Sequence, residues 1–115
     1  MGGVMDGLKA INNLNELQKQ LNDAISLMGI QGRELSEAEK NYKIALMQEA
    51  LRLKDEGMAA TLITLVVKGA PEVANCRYER DFAQSRYDTT KEKIMSLKLN
   101  IRILEGIIER EWGRA

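Results

Sequence analysis

Between Pro71 and Trp112 the chain repeats its apolar positions in alternating steps of three and four. From Val73 the run passes through Cys76, Arg80, Ala83, Tyr87, Thr90, Ile94, Leu97, Ile101, Leu104, Ile108 and Glu111. The only proline of the chain stands at its front edge. This pattern predicts one long helix carrying a seam for another helix. It dictates lengthwise packing and names no reaction and no ligand.

Composition supports the same class. At 115 residues the chain fits one domain. Hydrophobic residues make up 44% and aromatic residues only 4%, so a core would be built from aliphatic side chains, as in helical hairpins and bundles. One proline and singly scattered glycines are too few for the frequent turns of an all-β fold. The 17 basic residues balance 17 acidic ones, whereas a nonspecific polyanion binder carries an excess of Lys and Arg. Residues 1–56 hold seven basic and nine acidic groups, and residues 57–115 hold ten and eight. That small imbalance fits solvated faces. A single cysteine, Cys76, forms no internal disulfide and falls on the seam as a small buried hydrophobe. The first eleven residues lack the pattern of a signal peptide, and the most apolar window, Met58 to Val67, is too short to span a bilayer. The expectation is a cytoplasmic protein with no membrane partner.

Along the chain, residues 1–7 hold three glycines and read as a flexible tail. A helical pattern follows through Leu14, Leu17, Leu21, Ala24 and Met28. Gly29, Gly32 and a capping box at Ser36–Glu39 then suggest a break near 29–35. Against it, the 3-4 phase continues through Gln31, Leu35, Ala38, Tyr42 and Ala45. Two helices and one kinked helix both remain open, with the weight on the break. Gly57 ends this arm, 8–56. Residues 59–68 read as a short helix closed by Gly69 in left-handed geometry. Pro71 and Glu72 start the last helix, 71–112.

Lengths then set the plan. The last helix is about 60 Å long. Residues 36–56 cover about half of it, leaving 8–28 to cover the remainder. The fold expected is all-α: a single domain forming a long, coiled-coil-like antiparallel hairpin with a short helix at its tip, assembling into an oligomeric bundle. The assembly rests on a second apolar row, Met95, Leu99, Ile103 and Ile107, beside the seam residues Ile94, Leu97, Ile101, Leu104 and Ile108. A helix apolar on two sides is buried on two sides. These nine residues form the candidate oligomer interface, with a homodimer the first expectation and a higher oligomer the second. The alternation from Leu97 to Ile103 also permits a strand, a reading that lacks a turn or a second strand.

Chemistry is scarce. The chain has no histidine, which removes the commonest general base and metal ligand. Cys76 therefore has no His partner, and Gly29–Gly32 lacks the spacing of a phosphate loop. Glu105 and Glu109 share a helix face but read as surface charge. The chain is expected to have no cofactor, no metal and no enzymatic activity. The best nucleic-acid candidates are Arg77, Arg86, Lys91, Lys93, Lys98 and Arg102. They spread around the helix among Glu79, Asp81, Asp88 and Glu92, and ion pairs such as Arg77 with Asp81 are the simpler reading. Tyr78, Phe82 and Tyr87 read as packing residues. Arg80, on the seam, either snorkels or pairs with a facing acid such as Glu49. In the tip helix, Leu62, Ile63, Leu65 and Val66 are expected mainly to cap the hairpin, and any exposed part would be a partner patch.

From Gly32 onward the residues Gly32–Leu35, Ala38-Glu39, Ala45–Gly57, Pro71–Ala74 and Arg110–Gly113 stand out. This stretch resembles small helical proteins from the early gene clusters of Firmicutes phages and prophages, which serve DNA replication and recombination. The resemblance implies a phage accessory protein in the host cytoplasm and assigns no functional residue. Three functions follow as expectations. The first is an oligomeric adaptor that contacts itself and a phage or host protein. The second is an inhibitor of a host antiphage defence protein. The third, less favoured, is a weak nucleic-acid-binding module.

Overall fold

The computed structural model describes residues 7–113. Helix α1 spans Gly7–Asp55, helix α2 Ala60–Val66 and helix α3 Pro71–Trp112. A turn of 3-10 helix, Val67–Gly69, links α2 to α3. The fold is all-α, a helical hairpin with a short helix at the tip, and the described residues contain no strand. Leu97–Ile103 lies inside α3, so the strand reading is set aside.

The 3-4 repeat is the buried stripe. From Val73 to Ile108 every residue of the run is buried or half-buried, and Glu111 alone is exposed. On α1 the same rhythm runs through Gly7, Ala10, Leu14, Leu17, Leu21, Ala24, Met28, Gln31, Leu35, Ala38, Tyr42, Ala45 and Glu49. A repeat averaging 3.5 residues per turn keeps one face of each helix toward the other.

The expected break at 29–35 is corrected, because α1 is one helix. Two interior glycines cost about 1 kcal/mol each relative to alanine, less than the loss of a buried seam on either side. Gly29 faces open space, whereas a Cβ on Gly32 would sit 3.3 Å from Cε1 of Tyr87. Gly32 thus lets an aromatic ring approach the backbone. The capping box goes unused, since the Glu39 carboxylate lies 3.6 Å from Arg80.

At the end of α1, Gly57 has φ of 88°. Its N–H donates to Lys54 O at 2.9 Å and the N–H of Met58 donates to Leu53 O at 3.1 Å. This is the Schellman closure, and the left-handed residue it needs favours glycine. Gly69, expected to play that part after the tip helix, does not have positive φ. The chain leaves the 3-10 turn through Ala70 in extended geometry (ψ 135°), which suits the residue before a proline. The Ala74 N–H then donates to Ala70 O at 2.8 Å as α3 begins. The tail expected at 1–7 lies outside the described residues except for Gly7, which is helical.

The chain divides into two compact units, one comprising Met1–Gly29 with Thr89–Ala115, the other Ile30–Asp88. In the first, Ala24, Ile94 and Leu97 form a buried cluster packed by Leu17, Leu21 and Met28. Gly7 faces the Trp112 ring, with an added Cβ 3.7 Å away. In the second, Tyr42, Ala45 and Val73 are buried together, with Leu46, Ala70 and Cys76 against them. Val73 meets Ala45, Arg80 meets Glu39 and Arg86 meets Glu34, so rising numbers on α3 meet falling numbers on α1. The two helices are therefore antiparallel within this unit.

Candidate functional site

The nine candidate interface residues divide into two sets. Ile94, Leu97 and Leu104 are buried, and Ile101, Ile107 and Ile108 are half-buried. Ile94 and Leu97 pack on Ala24 of the same chain. Met95, Leu99 and Ile103 are 57%, 51% and 52% exposed, values that leave their aliphatic surface unpartnered within the chain. The seam spacing found the first set except Ile107, which the offset row supplied together with the second.

In the unit Ile30–Asp88 the seam carries polar residues beside its buried cluster. Of the two expectations for Arg80, pairing with a facing acid holds, with Glu39 in place of Glu49. The Arg80 guanidinium donates to Asp81 Oδ1 at 2.8 Å, lies 3.6 Å from Glu39, and stacks 4.6 Å over the Tyr42 ring. The hydrogen bond to Asp81 raises the Arg80 pKa above its ordinary value. Glu49 instead pairs with Arg52. Asp81, expected to hold Arg77, is taken by its neighbour Arg80. Arg86 pairs with Glu34 at 3.4 Å. Beside these pairs runs an open groove of about 570 Å³, lined among others by Ile30, Glu37, Ala38, Cys76, Phe82 and Ala83. Its walls mix both signs of charge, which gives no single ligand chemistry.

Tyr78 and Phe82, expected in the packing, are exposed and stacked on each other with centroids 6.4 Å apart. Neither belongs to the run from Val73; Phe82 lies on the flank of the seam, where it lines the groove with Ala38 and Ala83 and carries the Arg86 guanidinium 6.0 Å over its ring.

The tip departs from the capping expectation as well. No residue of α2 is buried. Ile63 is half-buried, Val67 in the 3-10 turn takes the buried position, and Leu62, Leu65 and Val66 are exposed, Leu65 at 79%. Two turns of helix present one face inward, and five apolar residues occupy more than one face. Leu65 and Val66 border a shallow groove with Glu49, Arg52, Leu53 and Pro71.

Of the basic candidates, Arg77, Arg86, Lys91, Lys93, Lys98 and Arg102 are all exposed. Lys91 and Lys98 flank one side of the seam and Arg86 and Lys93 the other, so they form no single stripe. Glu105 and Glu109 are exposed too. Among the described residues no group of three acidic or cysteine side chains is placed to hold a metal ion, and no helix is long and apolar enough to cross a membrane. The arrangement offers surfaces for packing. No protein-family model, curated protein or solved structure matches the chain.

Proposed function

We propose that this protein is a non-enzymatic, self-associating helical adaptor of phage origin that acts through protein–protein contacts in phage DNA replication or recombination. The observation that carries the reading is the exposed aliphatic row Met95, Leu99 and Ile103 on a helix whose other apolar face is already used. An apolar row on a helix back is costly in water unless another surface covers it. The resemblance of Gly32 onward to phage early proteins supplies the setting. A second reading, inhibition of a host defence protein, is favoured by the exposed Leu62, Leu65 and Val66 at the tip, a patch suited to blocking a partner.

Affinity purification of the tagged chain from infected cells separates the two. Recovery of phage replication or annealing proteins, lost on Leu99→Glu, supports the adaptor. Recovery of a host defence effector, lost on Leu65→Glu and kept on Leu99→Glu, overturns it in favour of inhibition. Light scattering tests self-association directly, since a monomer at micromolar concentration contradicts the oligomeric part.

A further inference from the structure

Within the unit comprising Met1–Gly29 and Thr89–Ala115, helix α3 carries a second run of alternating steps. It passes through Glu92, Ser96, Leu99, Ile103, Gly106 and Arg110. Gly106 is half-buried and the other five are exposed. At about 100° per residue, the run lies on the side of α3 opposite Ile94, Leu97 and Leu104, the buried residues of the same stretch. Spacing of this kind lets a helix lie lengthwise on a second helix. The run also reads alike from either end. About Ile101 as midpoint, Ile103 answers Leu99, Gly106 answers Ser96 and Arg110 answers Glu92. Large answers large, small answers small, and cation answers anion. A twofold contact requires a strip of this kind, because residue i of one copy meets residue j of the other while j meets i.

We propose that a second copy of the chain docks on this face through the same unit, antiparallel, with the twofold axis passing beside Ile101. The proposal rests on the self-association reading above and adds the face, the direction and the register. Leu99 then lies opposite Ile103 of the second copy, Ser96 opposite Gly106, and Glu92 opposite Arg110. The apolar pairs flank the axis, the small residues outside them let the helices come close, and an ion pair closes each end. Thr89 of the second copy comes level with Gly113, so the contact is complete within this one unit.

Charge argues for a second copy as the occupant. Among the described residues neither Glu92 nor Arg110 holds an ion pair. The Arg110 guanidinium lies along the strip, its Nη1 3.5 Å from where a Cβ on Gly106 would stand. An unrelated helix would have to carry a base at one end, an acid at the other and small residues between them and an apolar centre. A second copy supplies all of these in the order required. Arg102 meets its own counterpart near the axis, a repulsion that two exposed, flexible side chains relieve by turning into water.

Disulfide mapping tests the register. Chains carrying Ser96→Cys or Gly106→Cys are made separately, each with Cys76→Ala to remove the native thiol. Mixed under mild oxidation, they give a covalent dimer of one with the other. Either alone gives at least tenfold less, because each position is ten residues out of level with its own counterpart, about 15 Å, and a disulfide spans about 7 Å between Cα atoms. Efficient crosslinking of each chain alone means parallel docking and overturns the proposal. A dimer in light scattering that never forms the mixed crosslink overturns this face and leaves self-association standing, whereas a monomer overturns both and leaves the face to a different partner. Charge reversal tests the ends. Glu92→Arg and Arg110→Glu each weaken dimerisation about fivefold, since symmetry spoils two pairs at once, and the two together in one chain restore it to within about twofold. Leu99→Glu, at an exposed position, weakens it about 30-fold or more with helix content unchanged. Unaltered dimerisation in Leu99→Glu, or no recovery in the double charge reversal, also overturns the proposal.

Discussion

In the unit comprising Met1–Gly29 and Thr89–Ala115, the seam is closed by Ala24, Ile94 and Leu97 against Leu17, Leu21 and Met28. In Ile30–Asp88 the same rhythm places Gln31, Tyr42, Cys76, Arg80 and Tyr87, and among the described residues the ion pairs fall in this unit. Both units are antiparallel helix pairs with one buried stripe. The first is held by area removed from water, which is non-directional. The second adds an aromatic ring under a guanidinium, charge pairs and a glycine that admits a ring, all of which depend on position. The difference teaches that a 3-4 repeat specifies helix pairing, while the residues filling it decide how narrowly the register is set.

Truncation should separate the two most. Leu97→Ala removes a buried leucine from the aliphatic cluster and is expected to cost about 3 kcal/mol, because little nearby can refill the space. Val73→Ala, at 1% exposure in the other unit, removes less volume and should cost about 2 kcal/mol. Urea titration measures both. Hydrogen exchange shows where they act: Leu97→Ala should deprotect Leu17–Met28 first and Val73→Ala the amides around Tyr42–Leu46. Deprotection of both segments to the same extent by either variant would break the distinction between the units.

The second contrast is polar against apolar within a seam. Gln31 is 5% exposed and its Oε1 has no hydrogen-bond partner. A buried carbonyl left unpaired costs about 1–3 kcal/mol. Gln31→Leu should therefore raise stability by about 1 kcal/mol, part of the gain being lost to imperfect fit. If the glutamine sets register as buried polar residues do in coiled coils, the variant will also populate a slipped pairing, visible as doubled amide resonances for Leu35–Ala45.

These contrasts show which parts of the structure were legible beforehand. The seam was, since a period of 3.5 is a property of one helix and needs no knowledge of its neighbour; Val73, Ile94, Leu97 and Leu104 fell into the stripe on spacing alone. The continuity of α1 was legible only in part. Gly29, Gly32 and the Ser36–Glu39 box are local signals, and the packing of Tyr87 on Gly32, which overrides them, joins residues far apart in sequence. Exposure of Tyr78 and Phe82 was readable from their place off the seam, but their aromatic character suggested a core. The orientation of α2 was not readable, because seven apolar-rich residues satisfy several rotations equally. The partner of Arg80 was not either: Glu39 and Glu49 both face the seam, and only the axial stagger of the helices selects Glu39.

The two glycines sharpen the comparison at a smaller scale. Gly29→Ala adds a methyl group in open space on a helix interior and should stabilise by about 0.5–1 kcal/mol. Gly32→Ala gains the same backbone preference but sets its Cβ 3.3 Å from Tyr87 Cε1. The ring must give by a few tenths of an ångström, so this variant should be neutral or mildly destabilising. Thermal melts of the pair measure the difference, and an equal gain from both would mean that the ring of Tyr87 moves freely.

The smallest effect expected concerns charge, and it is confined to Ile30–Asp88. The hydrogen bond from Arg52 holds the Glu49 carboxyl below the usual carboxylate range, against the opposing effect of partial desolvation. A carboxyl whose folded pKa is depressed contributes stability that is fully present above its unfolded value and is lost as pH falls through its folded value. The contribution of this pair should accordingly be constant through neutral pH and vanish in acid, in the window below the ordinary glutamate value. Arg52→Gln should return the Glu49 carboxyl toward that ordinary value in a carbon-detected titration and flatten the acid limb of the stability curve. Because the pair is solvent-screened, added salt should shrink the effect further. Leu17–Met28, whose seam is aliphatic, should keep its exchange protection unchanged between wild type and variant over the same pH range. Loss of that protection together with the Glu49 titration would mean that the aliphatic unit draws stability from the charges of the other.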